Sequence, residues 1–341
     1  MNKNHIVHKV TVLISLVLFL VFYSCSNSSK VKIGLILPNL VDDRFPKDRD
    51  YFVAKAKQLD GEVLVADGNN DDKLQMKQAE EFIGQGVKVL VLVPVNLNTA
   101  AAIVRLAHEN SIKVIAYERI IANCDLDYYI SFDNVKVGEL MASYATKLKP
   151  EGNYMVLSGD KGDKNAIWVR QGMRNIIDPL VKSGKIKIVY DVYIEDWAPE
   201  NAYQVMKKYL NLSCVDLPDA ILSAYDGMST GAIKALDENN VTLFPIITGQ
   251  NAELEACRNI LNGRQSMTVY KPIKTEAEQA AILAMKCAKN ESIEKTGKTS
   301  FNGAIEVPAI LIEPISVNVS NMKGTIIADG FLKESEVYGN H

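Results

Sequence analysis

Histidine is scarce in this chain of 341 residues, which has four. His5 and His8 fall near the start, His341 is the last residue, and His108 sits in a helical pattern away from any strand end. General acid–base catalysis by histidine therefore has no evident seat. The five cysteines form no CxxC pair and have no metal-like spacing with histidine, which argues against zinc and dithiol chemistry. No GxGxxG follows the first strand pattern, so the dinucleotide fingerprint is missing. Charge of one sign is also lacking. The net charge of −3 comes from 38 basic and 41 acidic residues, interspersed, with no footprint for nucleic acid. The expectation is a chain with no cofactor, no metal and no recognisable catalytic constellation, with carboxylate catalysis left open.

What is present begins with residues 1 to 24, which differ from all that follow. Lys3 and Lys9 precede an uncharged apolar run, residues 10 to 22. That run is short for a membrane span of ~20 residues but suits the h-region of an export signal. Tyr23-Ser24-Cys25 and a serine-rich spacer close it, an arrangement that resembles the lipobox of bacterial lipoproteins, although Phe22 stands where leucine is preferred. The resemblance implies a signal peptide over 1–24, a lipidated Cys25 and a linker over 25–30. An ordinary cleaved signal is the other reading. Two or more acyl chains on Cys25 would give stable membrane anchoring. Cys124, Cys214, Cys257 and Cys287 read mostly as small buried apolar residues, and their pairing is not legible from sequence.

From residue 31 onward, short β-rich runs alternate with helical patterns. Strands are expected at 31–37, 62–66, 88–93, 113–117 and 128–132, with amphipathic helices between them. The alternation restarts at 153–157, 186–193, 220–223 and 245–248. Strand-then-helix repeats joined by short loops predict parallel sheets covered on both faces. The fold class is α/β, with two doubly wound lobes facing each other across a cleft. Residues 304–315 and 324–331 read as further strands, and 296–299 (Thr-Gly-Lys-Thr) imitates the end of a phosphate loop without its leading glycine.

Ligands of open α/β folds bind at the carboxyl ends of strands. Arg44, Phe45 and Lys47 lie beyond the first strand there, Glu118 and Arg119 beyond the fourth, and Asp133 and Asn134 beyond the fifth. The second unit adds Asn165, Arg170, Trp197, Tyr225, Asp226, Gln250 and Asn251. Lys271 ends the strand within residues 267–273, where Pro272 then opens a helix. Most of these are forked or planar hydrogen-bonding groups, with a few aromatic rings. A sugar needs that mixture, because each hydroxyl donates and accepts while its C–H faces lie against rings. A surface turn or helix cap explains any one of them alone, Asp133 and Asn251 most readily.

Longer stretches carry a family resemblance: Lys47-Asp48-Arg49-Asp50, residues 129–134 with 136–140, 183–187, Trp197-Ala198-Pro199-Glu200-Asn201-Ala202, and 267–273. With these, residues 31 to about 338 resemble the periplasmic sugar-binding proteins of the ribose and galactose type, in particular their xylose-binding branch. The resemblance implies two lobes joined by three hinge crossovers, the first built from 31–132 plus 271–307 and the second from 133–270 plus 308–341. It implies a ligand site of Phe45, Lys47, Glu118, Arg119, Asp133, Asn134, Trp197, Tyr225, Asn251 and Lys271, to which the strand-end positions add Asn165, Arg170 and Asp226. Positions 45, 118, 225 and 251 depart from that branch. The implied ligand is a monosaccharide, and the implied partner of a monomeric, lipid-anchored protein is an ABC permease or, alternatively, a membrane sensor.

Overall fold

The computed structural model describes residues 30–41, 44–212, 216–294 and 297–339. The proposed signal, Cys25, Cys214 and Thr296 lie outside them.

The first lobe carries β1 (Val31–Leu37), α1 (Arg44–Gln58), β2 (Gly61–Asp67), α2 (Asp72–Gly84), β3 (Val89–Leu92), α3 (Leu97–Glu109), β4 (Lys113–Tyr117) and β5 (Tyr128–Phe132). The second carries α4 (Asn134–Leu148), β6 (Gly152–Ser158), α5 (Lys164–Lys182), β7 (Ile186–Tyr193), α6 (Pro199–Leu210), β8 (Ala220–Ser223), α7 (Asp226–Glu238), β9 (Ile246–Ile247), α8 (Leu254–Leu261) and β10 (Thr268–Tyr270). The chain then returns through α9 (Ile273–Ala288), β11 (Thr299–Phe301) and β12 (Glu306–Ile312) to β13 (Ile315–Val317) and a terminal α10 (Glu334–Tyr338).

The first sheet runs β11-β12-β5-β4-β3-β1-β2, parallel throughout except where β11 meets β12. Its central strands β1, β3, β4 and β5 are buried on both faces, so they are apolar almost without interruption. Along β3 the period of two divides the core: Val89 and Val91 pack with Phe52, Ala280 and Ala284, and Leu90 and Leu92 pack with Ala79, Phe82 and Val104. Helices α1 and α9 thus cover one face, and α2 and α3 the other. The second sheet runs β7-β6-β8-β9, also parallel. Backbone hydrogen bonds from Val269 N to Gly249 O and from Asn251 N to Val269 O attach the antiparallel pair β10-β13 to its edge.

Three passages connect the sheets: Phe132 to Asp133, Tyr270 to Ile273, and Ile312 to Ile315. Strand β12 pairs with β5 along Ala309–Ile312, so the first sheet takes in residues up to 312, beyond the expected 307. Residues 324–331 are not a strand. Lys323–Ile327 form one wide helical turn whose Ile326 and Met322 fill a small core under the second lobe. Cys124, Cys257 and Cys287 are buried free thiols, as small apolar residues would be.

One close approach inside the second lobe matters for the cleft. A Cβ on Gly138 of α4 would lie 1.9 Å from Val169 O, and one on Gly172 of α5 would lie 1.9 Å from Val135 O. The two helices touch backbone to backbone, which brings their first turns side by side.

Candidate functional site

Those first turns supply Asn134 and Asn165, both buried, and the Asn134 amide donates to Asn165 Oδ1 at 3.0 Å. Asn165 donates in turn across the cleft to Glu118 Oε1 at 3.1 Å. Glu118 is held in the left-handed region at φ 63°, a conformation that costs a non-glycine residue and that clusters at functional sites. Its carbonyl accepts from Tyr129 OH and Ser131 Oγ, which keep it there. Oε2 of Glu118 has Arg119 Nε at 3.3 Å but is a buried atom without a hydrogen bond.

On the first-lobe side, Arg44 Nη1 lies 3.7 Å from Glu118 Oε1. Arg44 Nε donates to Asp48 at 2.9 Å and Nη2 to Glu276 at 2.5 Å. Burial disfavours the Arg44 charge, but Asp48, Glu276 and Glu118 hold its pKa well above the usual arginine range. Lys271 closes the group from the second crossover. It is 7% exposed, its Nζ lies 5.7 Å from the Phe132 ring centre, and among the described residues it makes no hydrogen bond. Burial pulls its pKa down to about 8, with Glu118 opposing. Burial pushes Glu276 up to about 8, with Arg44 opposing.

An aromatic wall stands in the second lobe. Trp197, itself at φ 56°, donates Nε1 to Asp163 Oδ2 at 3.2 Å and meets the Tyr225 ring edge-on, 86° between planes and 6.3 Å between centres. The Tyr225 hydroxyl donates to Glu253. Asn251 adopts φ 95° and its side chain makes no hydrogen bond among the described residues.

Glu118, Arg119, Asn134, Asn165, Trp197, Tyr225 and Lys271 of the expected set therefore converge at the strand ends where the sheets face each other. Five others are engaged elsewhere. Phe45 is 4% exposed and packs in the first-lobe core, because the turn of α1 that aims Arg44 at the cleft sends its neighbour inward. Lys47 sits with its ammonium 4.5 Å from the Phe331 ring, touching the carboxyl-terminal segment. Arg170 pairs with Asp191 and donates to Ser158 Oγ at 3.1 Å. Asp226 is fully buried and accepts from Thr268 Oγ1 and Gln265 Nε2, each at 2.8 Å, and from Glu253 N. Asp133 caps α4 by accepting from Lys136 N at 3.0 Å, and pairs with Lys298.

Three residues of the cluster, Asp48, Asp163 and Glu276, are missing from the sequence-derived candidates, whereas Arg44 was among the strand-end residues but not in the expected ligand site. Glu276 had a signal: it lies on the buried stripe of Ile273, Ala277, Ala280 and Ala284, where a carboxylate needs a charge partner. Sequence inspection also passes over Gly227-Met228-Ser229-Thr230-Gly231, which has the GxSxG spacing of a hydrolase elbow. It lies within α7, and the buried Ser229 hydroxyl is bound to Ser223, Tyr225 O and Thr248 O, so it serves the core rather than chemistry. No group of three metal-ligating side chains occurs among the described residues. A depression of about 300 Å³ beside Val53, Lys57, Gly61 and Glu62 lies at the amino ends of the strands, opposite the cleft.

Two parallel α/β sheets joined by three crossovers, with convergent polar groups between them, define a two-lobed ligand-binding protein. The chain belongs to the periplasmic binding protein family, whose domain profile matches residues 33–292. It is 42% identical over 318 residues to the D-xylose-binding periplasmic protein of Haemophilus influenzae, covering 93% of this chain and 95% of that one. It is 41% identical over 312 residues to the D-xylose-binding periplasmic protein of Escherichia coli, covering 92% and 94%. Among solved structures it resembles an ABC transporter solute-binding protein from Clostridium phytofermentans with bound β-D-glucose, at TM-score 0.82 and 28% identity over 90% of this chain and 99% of that one. These relatives are binding proteins, in keeping with the poverty of catalytic groups in the sequence.

Proposed function

We propose that the protein captures a monosaccharide, D-xylose or a close relative, between its two lobes and presents it to an ABC permease. The observation that carries this reading is a set of buried oxygens that make no hydrogen bond, Glu118 Oε2, Glu276 Oε1 and Asn134 Oδ1, beside the buried residue Lys271, a donor with no hydrogen bond among the described residues. In folded proteins buried polar groups are nearly all paired, and an unpaired one costs about 1–3 kcal/mol. Sugar hydroxyls, each both donor and acceptor, would satisfy this mixed set, and the Trp197 ring offers a face for the C–H surface. Contacts from both lobes favour the closed arrangement, so occupancy is read by the membrane partner as closure. The names of the xylose-binding relatives and the glucose held by the solved relative support the ligand class.

The test is a thermal-shift screen against pentoses, hexoses and their acids. At about 100 times Kd, a sugar stabilises the folded chain by about 2.7 kcal/mol, a clear rise in melting temperature. A chain that responds to none of these sugars but to a non-carbohydrate solute contradicts the reading.

Anchoring is part of the same proposal. The chain acts as a monomer held to the membrane through acyl chains on Cys25, supported by the apolar run and the Ser24-Cys25 junction. Mass spectrometry of the mature amino terminus is expected to show an acylated Cys25, and Cys25→Ser to release the protein into the soluble fraction. An unmodified Cys25 in a membrane-free protein refutes it.

A further inference from the structure

Arg44 opens α1, where the helix dipole disfavours a cation, so acids must hold it in place. Its donors are unequally used. Nε is bound to Asp48 and Nη2 to Glu276, while Nη1 makes no hydrogen bond among the described residues and points toward Glu118 at 3.7 Å, too far to bond. Asp48 is fully committed, because its other oxygen accepts from the Tyr117 hydroxyl. Glu276 reaches Arg44 from the first turn of α9, 232 residues away in sequence, and is itself 0% exposed. A carboxylate on an alanine-rich buried stripe is costly unless it is paired with a charge.

Resting on the sugar-binding reading above, we propose that Glu276 is a positioning residue of the sugar site: with Asp48 it clamps Arg44 so that Nη1 is presented to the cleft beside Glu118. Two acids on Nε and Nη2 fix the plane of the guanidinium, as a bidentate partner does. With Asp48 alone, the fork keeps one anchor and its free nitrogen loses its aim. Glu276 also follows Lys271 by five residues, so one short segment supplies a buried ammonium to the cleft and the residue that fixes Arg44.

The test is calorimetric titration of the full chain with D-xylose, L-arabinose, D-ribose, D-glucose and D-galactose, using the tightest of these as the probe for the variants. Glu276→Leu is expected to weaken binding about tenfold or more, and Glu276→Gln, which keeps an acceptor for Nη2, to recover most of that loss. In the Arg44→Ala background, Glu276→Leu adds little further loss, because its effect passes through Arg44. Melting temperatures without sugar establish that each variant is folded. Wild-type affinity in folded Glu276→Leu, or its full loss repeated on top of Arg44→Ala, overturns the clamp. Should Glu276→Leu not fold, the comparison of Glu276→Gln on both backgrounds decides: a few-fold loss present only with Arg44 supports the clamp, and equal effects refute it. If the unaltered chain binds none of the five sugars, the sugar reading itself fails and the proposal falls with it, an outcome separate from the other two.

Discussion

The side-chain amide of Asn165 donates to Glu118 Oε1 across the cleft at 3.1 Å, joining the first turn of α5 in one lobe to the end of β4 in the other. Ligand contact and lobe contact thus share one chain of hydrogen bonds running from Asn134 through Asn165 to Glu118, with Arg44 3.7 Å beyond it.

Loss of that link should therefore weaken binding through closure as well as contact. A hydrogen bond to a charged group is worth about 1.5–3 kcal/mol. Asn165→Ala is expected to weaken sugar binding roughly 10- to 100-fold, with little change in the melting temperature of the sugar-free protein. Calorimetry checks this, and unchanged affinity would show that Asn165 is a bystander.

Gly159 offers a test of the aromatic wall that leaves every cleft side chain in place. A Cβ there would lie 2.3 Å from the Trp197 ring, which is held by its Nε1 bond to Asp163. Overpacking of this kind costs about 1–3 kcal/mol. Gly159→Ala should displace Trp197, shift tryptophan emission and reduce affinity by about tenfold; a variant with shifted emission and native affinity contradicts the assignment of Trp197 as a ligand wall.

Lys271 is expected to divide stability from function. It is a buried residue whose ammonium makes no hydrogen bond among the described residues, so the sugar-free fold gains little from it. Lys271→Met should keep the melting temperature of the sugar-free protein near that of the native chain while weakening sugar binding at least about tenfold. Retained affinity would remove Lys271 from the site.

A buried acid predicts a pH slope. Burial, with Glu253 adding to it, holds the Asp226 pKa up at about 8, whereas an unfolded aspartate titrates near 4. Between those values the folded chain keeps a proton that the unfolded chain has released, so this stabilisation is full below about pH 4 and declines as pH rises toward 8. Lys271, depressed to about 8 against about 10.4 unfolded, acts only above that range, where stability recovers with pH. Urea midpoints of the sugar-free protein should be higher at pH 5 than at pH 8, with a smaller difference in Asp226→Asn. Equal midpoints in the native chain, or an unaltered slope in the variant, would count against this.

The alternation of strands and helices made the α/β lobes legible in the sequence, because strands buried on both faces leave short apolar runs between amphipathic helices. Legibility was poorer in the cleft, for reasons visible in particular residues. Strand-end position marks a loop, not a direction: Arg44 and Phe45 are adjacent, and the helix turn sends one to the cleft and the other to the core. Capping explains Asp133, which was the plain alternative from the start. Asp226 follows a strand yet points inward, because Thr268 and Gln265 await it there. Partners far apart in the chain, such as Arg44 and Glu276, become neighbours only through the second crossover, and although the buried stripe of α9 marks Glu276 as needing a charge, no local pattern names Arg44 as its partner.

The central claim, capture of one monosaccharide between the lobes, is tested most directly by titration calorimetry of the native chain with D-xylose, L-arabinose, D-ribose, D-glucose and D-galactose. Saturable binding of at least one of them at one sugar per chain is the predicted result. Binding of none, with a non-carbohydrate solute bound in their place, would contradict it.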